Sequence, residues 1–116
     1  MAERRLVYIA HALSGGSAGW DANIADARLW VAAAARLGWA PLAPYLAFDG
    51  TFDDADPRDR EIGLEVDLAV LRVCAEVWLC GETISSGMKV EAGAADAARI
   101  PVRMLWSKEM IPVVKP

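Results

Sequence analysis

At 116 residues, 55 % hydrophobic and 24 % charged, the chain has the size and composition of one globular domain spanning 1–116, not of a disordered polymer. Its net charge of −4 removes the electrostatic basis for binding nucleic-acid polymers or anionic membranes, though a small anion could still be held locally. One histidine and two cysteines inside apolar runs, Cys74 and Cys80, argue for reduced core thiols in a cytoplasmic protein and against a metal centre, and no cofactor is expected. The start of the chain lacks the apolar run of a signal peptide, and "LAVLRVCAEVWLC" is too short and too charged to span a bilayer.

Along the chain, "RRLVYIAH" (4–11) predicts a strand buried on both faces, because its apolar run does not alternate. A Gly/Ser-rich loop, "ALSGGSAG", follows. "WDANIADARLWVAAAARLG" predicts a helix capped by Asp21 and ended by Gly38, with Ile24, Ala27, Trp30, Val31 and Ala34 as its apolar stripe. Trp20 and Trp39, flanking that helix, could pack together. "WAPLAPYLA" predicts a short second strand, restricted by its prolines, that runs into a loop. The acidic, turn-rich "FDGTFDDADP" (48–57) is long for an α/β connection and suits a binding lid.

Asp56-Pro57 opens a second helix reaching about Cys74, with Ile62, Val66, Ala69, Val70 and Val73 on its apolar face. "AEVWLCG" predicts a third strand, "SSGMKVEAGAADAARI" a third helix and "PVRMLW" a fourth strand. The tail could add a turn and a fifth short strand. This alternation predicts an α/β, flavodoxin- or Rossmann-like three-layer domain around a parallel sheet of four to five strands. In a 2-1-3-4 strand order the switch point lies between the first and third strands. The loops there are "HALSGGSAG" and "GETISSGMK", the two Gly/Ser-rich loops of the chain.

Four features of these loops and helices bear on chemistry. Ser14, Gly15 and Gly16 could present backbone N–H groups to a phosphate, or form a plain flexible turn. Ser85 and Ser86 can cap the third helix and also offer hydroxyls to an anion at its positive end. Glu91 follows in the first turns, among small residues, and Gly93 suggests a close backbone approach. Asp67 borders the apolar stripe of the second helix, whereas Glu65 lies on another side and reads as solvated.

Over most of its length, from "VYIAH" to about "IPV", the chain resembles the nucleoside 2-deoxyribosyltransferase superfamily, closest to the 2′-deoxynucleoside 5′-phosphate N-hydrolases and small relatives of theirs. The resemblance is carried by Ser85-Ser86-Gly87-Met88-Lys89-Val90-Glu91-Ala92-Gly93, where Ser85, Gly87, Glu91 and Gly93 match and Lys89 replaces a glycine. It implies Glu91 as a nucleophile on the anomeric carbon, Asp67 as its partner or as a proton carrier, and Tyr8 as a residue that positions Glu91. It also implies His11, Ser14, Gly15 and Gly16 in a first phosphate-contacting loop, and Ser85, Ser86, Gly87 and Met88 in a second. Ser85 in place of an aspartate favours a nucleoside 5′-monophosphate and hydrolysis over deoxyribosyl transfer. The expected ligand is a nucleotide or nucleoside, and the expected assembly a homodimer or higher homo-oligomer. A non-catalytic nucleotide sensor and an NAD-cleaving glycohydrolase remain open beside the N-glycosidase.

Overall fold

The computed structural model describes residues 3–14 and 16–114. Among them are four parallel strands, β1 (Leu6–His11), β2 (Ala40–Leu42), β3 (Glu76–Cys80) and β4 (Val102–Leu105), in the order β2-β1-β3-β4. The helices are α1 (Trp20–Arg36), the short α2 (Tyr45–Phe48), α3 (Pro57–Leu71) and α4 (Ser86–Ala97). This is the expected three-layer α/β fold, with the strand order in which the β1 and β3 tips flank the switch point.

Alternation along the central strands sorts the core into two halves. Val7, Ile9, Trp78 and Cys80 face α1 with Trp30 and Ala34, while Tyr8, Ala10, Val77 and Leu79 face α3 and α4 with Leu71, Met88 and Ala95. Tyr8, Ile9 and Trp78 are fully enclosed, and each such side chain stabilises the fold by about 2–3 kcal/mol through burial. Trp39 meets Trp78 edge-on, ring centres 4.9 Å apart, and donates from Nε1 to the Pro112 carbonyl at 2.7 Å. Trp20 instead donates to Asp49 Oδ1 at 2.9 Å, so the two tryptophans that could have packed together take separate roles.

Several local expectations are corrected. Gly19, with φ +84°, leads directly into α1, so Asp21 sits inside the first turn beside the positive helix end and does not cap it. The second strand ends at Leu42, because Pro44 can start a helix but cannot extend a ladder, and α2 replaces the expected loop. Helix α3 stops at Leu71, leaving Val73 exposed beyond it, and Ala69 faces outward. After β4 the described tail makes a single 3-10 turn (Lys108–Met110) and one bond from Val114 N–H to the Leu37 carbonyl, without a fifth strand. A Cβ on Gly93 would meet nothing within 4 Å, so no neighbour within the chain requires glycine there. The small residues that pack inward are Ala92, Ala94 and Ala95.

Two starts were legible. Asp56 caps α3 by accepting from Arg58 N–H at 2.9 Å with Pro57 at the first position, and Ser85 caps α4 by accepting from Met88 N–H at 3.2 Å. Cys74 and Cys80 are both buried and unpaired. No helix among the described residues is long and apolar enough to cross a membrane.

At the amino end of β3, Glu76 is only 3 % exposed. Its carboxylate accepts from Arg103 Nε at 2.6 Å and Trp78 Nε1 at 3.0 Å, with Arg5 Nη1 at 3.5 Å. Burial alone would raise its pKa, but these donors and charges outweigh burial and hold it below the usual carboxylate range. This cluster pins the strand ends farthest from the site.

Candidate functional site

A cavity of about 600 Å³ opens at the carboxyl ends of β1 and β3, between the α2 segment, α3 and the start of α4. It falls in the size range of small-molecule sites, ~300–1,000 Å³. Glu91 from α4 and Asp67 from α3 line it together, although 24 positions separate them in sequence (91 − 67). Helical phase explains the convergence. Met88, Glu91 and Ala95 form the inward row of α4, so Glu91 occupies a core-facing position above the sheet.

Glu91 is 8 % exposed and has no ion pair among the described residues. Burial raises its pKa to about 7, the Tyr8 hydroxyl opposes this, and the charge of Asp67 adds to it. Asp67 is pushed to about 7 by burial, and its Oδ1 is enclosed without a hydrogen-bond partner. Burial thus disfavours the charged form of both carboxyls, and the charge of Asp67 reaches Glu91 without a hydrogen bond between them.

Tyr8 sits behind Glu91, fully enclosed, its pKa raised first by burial and then by the charges of Glu91 and Asp67. Its hydroxyl is close enough to steady the Glu91 carboxylate but does not complete a regular hydrogen bond. Tyr45 tilts against Tyr8 at 6.5 Å and donates to the Ile9 carbonyl at 2.6 Å, fixing α2 to β1.

The other predicted positions divide. Ser14, Ser85, Ser86, Gly87 and Met88 line the cavity with the two acids. Ser85 also caps α4, and Met88 is fully buried, its Sδ 3.3 Å from the Ser85 N–H. His11 reaches the cavity wall, but both ring nitrogens are engaged, Nδ1 with the Ala12 carbonyl at 2.7 Å and Nε2 with Asp26 Oδ2 at 2.8 Å. Asp26 also accepts from Lys108 Nζ at 2.6 Å and Trp30 Nε1 at 3.1 Å, and these bonds outweigh its burial to lower its pKa. His11 thus anchors the loop after β1 to α1.

Gly16, at φ +80°, packs against Thr83, whose Oγ1 would lie 2.9 Å from an added Cβ. The two Gly/Ser-rich loops therefore touch, with Gly16 as the contact and not as cavity lining. Gly15 lies outside the described residues. Lys89 is exposed and does not line the cavity.

Sequence reasoning missed the aromatic wall. Phe48 and Phe52 stack with ring centres 4.2 Å apart and planes 18° from parallel, and both line the cavity with Trp20 and Arg60. Phe48 and Phe52, four positions apart within the acidic 48–57 segment, were the available signal.

Comparison with known proteins agrees with this architecture. A solved 2-deoxyribosyltransferase from Bacillus psychrosaccharolyticus superposes with a TM-score of 0.62, covering 85 % of this chain and 70 % of that one at 16 % identity, a likeness of fold. No curated protein sequence matches. A family profile described as a domain of unknown function, DUF7768, matches residues 5–105. The chain belongs to this DUF7768 family.

Proposed function

We propose that this protein cleaves the N-glycosidic bond of a small nucleoside-like molecule, with Glu91 as nucleophile. The observation that carries the proposal is the Glu91 carboxyl itself: buried, lining a ligand-sized cavity and unpaired with any described cation, beside a second acid and a tyrosine hydroxyl. A structural glutamate in this fold is neutralised as Glu76 is, by guanidinium and indole donors.

Opening the bond moves its electron pair onto the base nitrogen and leaves positive charge on the anomeric carbon. Ionised Glu91 stabilises that charge and closes an ester on the carbon. Protonated Asp67 gives its proton to a departing neutral base. As carboxylate it then takes a proton from the water that attacks the same carbon and frees Glu91. Tyr8 orients the nucleophile from behind. Ser85 and Ser86, at the positive end of α4, would receive the 5′ end of the sugar.

Within this reading, water is the acceptor and Ser85 admits a 5′-monophosphate, as in the nucleotide N-hydrolases. Deoxyribosyl transfer uses the same ester with a second base in place of water. We also propose self-association across the α3–α4 face, where Leu64 and Val90 are exposed and Gly63 and Gly93 leave room for close approach. Sedimentation that shows a monomer at working concentration would remove this part.

The test is base release from nucleosides and their 5′-monophosphates, resolved chromatographically. Release is expected from wild type and absent in Glu91→Gln that still binds ligand. Release that survives the substitution excludes Glu91, and binding without release in wild type favours a sensor.

A further inference from the structure

The charge around the cavity is unbalanced, and the imbalance names a class of base. Asp49, Asp53, Asp54, Asp59 and Glu61 line the mouth, above Asp67 and Glu91 on the floor. Among the described lining residues Arg60 is the one guanidinium or ammonium set against them, and the His11 ring is engaged elsewhere. Asp49 is partly answered by Trp20 at 2.9 Å and by Arg28 at 3.7 Å, whereas Asp54 and Glu61 form no ion pair among the described residues. Two observations beyond the acid count point to a ligand. Glu91, nine-tenths buried and on the cavity wall, has no cationic partner, and the enclosed Asp67 Oδ1 has no hydrogen-bond donor. Beside them stands the stacked Phe48–Phe52 pair.

We propose that the base subsite takes a positively charged aromatic ring, of the class of N-ribosylated pyridinium or another quaternised heterocycle. A stacked aromatic wall serves any flat base. Carboxylates around it add attraction only for a cationic ring and work against an anionic one. The charge also simplifies the chemistry. When the C–N bond of a pyridinium glycoside breaks, its electron pair neutralises the ring nitrogen, and the base departs without a proton. Glu91 forms the ester. Water then attacks the anomeric carbon, the C–O bond electrons return to Glu91, and one proton passes through Asp67 to solvent. The net reaction is cationic glycoside plus water giving sugar, neutral base and a proton.

The charge preference concerns binding. Only the bond-breaking step rests on the reading of Glu91 as nucleophile, so the two are tested separately. Binding is read by NMR titration of the wild-type chain with 1-methylnicotinamide and with its neutral form, the aromatic isostere 3-methylbenzamide, which share a shape and carry no glycosidic bond. The cation is expected to bind about tenfold tighter, to shift resonances of Phe48 and Phe52, and to lose most of that advantage in high salt and in the double variant Asp54→Asn, Glu61→Gln. Equal or tighter binding of the neutral form, or binding of neither, overturns the proposal. Release is read with nicotinamide riboside. Free nicotinamide is expected. A riboside that binds by charge yet stays intact upholds the preference and overturns the glycosidase reading.

Discussion

Replacing Glu91 by glutamine probes the burial of the proposed nucleophile without any substrate. Glutamine keeps the shape and removes the charge. In the folded chain the Glu91 pKa stands at about 7, raised from 4.5 mainly by burial. At about 1.4 kcal/mol per pH unit, ionising this carboxyl in place costs about 3 kcal/mol more than in the unfolded chain. The sign follows from a folded value above the unfolded one. Below the unfolded pKa the group is protonated in both states and the fold bears no penalty. As pH rises through the folded pKa, that advantage is lost.

Glu91→Gln should therefore match wild type within about 0.5 kcal/mol at pH near 4 and exceed it by about 2–3 kcal/mol at pH near 8. The other acids titrate alike in both proteins, so the difference isolates Glu91, together with its coupling to Asp67. Urea unfolding followed by tryptophan fluorescence at several pH values measures it. A difference that does not change with pH, or a wild type more stable than the variant at pH 8, would refute the claim that this carboxylate is held in a desolvated site. A gain in stability on removing a functional group is the expected signature of a site kept charged for chemistry.

Other outcomes follow from the same geometry. Asp67→Asn should slow base release from neutral nucleosides by about 10²–10⁴-fold, the worth of a positioned proton carrier, and spare a cationic substrate in the bond-breaking step; single-turnover release distinguishes the two. Tyr8→Phe removes the group that lowers the Glu91 pKa, so the acid limb of the kcat/KM profile should move to higher pH while the melting temperature changes little. Arg103→Ala strips Glu76 of its 2.6 Å donor and should cost about 1–3 kcal/mol. Because the Glu76 pKa is held low, that loss should be full at neutral pH and fade as pH falls through the acid range.

The fold was legible because its signals are local and repeated. Apolar runs with no alternation marked β1 and β3, and Asp56-Pro57 and Ser85 marked two helix starts. The floor of the site was legible too, since Glu91 and Asp67 each lie on or beside an apolar helix row and two such rows must meet the sheet. What failed depends on neighbours. Whether Gly93 faces a partner or open space is set by helix phase, and glycine alone does not show it. The tryptophans chose partners distant in sequence, Trp39 the Pro112 carbonyl and Trp20 the Asp49 carboxylate. The aromatic wall escaped notice because Phe48 and Phe52 become adjacent only when α2 forms, and "APYLAF" reads equally as strand or loop. His11 lines the cavity, as its place in the loop suggested, but the bond from its ring to Asp26 on α1 depends on a residue fifteen positions away and was not legible.

The claim on which all the chemistry depends is a covalent bond between the 91 carboxylate and a sugar. Rapid acid quench during turnover, followed by proteolysis and mass spectrometry, reads it directly. The expected result is the mass of the sugar, without its base, on the peptide containing Glu91, and its absence in Glu91→Gln. Base released at full rate with every Glu91 peptide unmodified, or with the sugar carried on another residue, would contradict it.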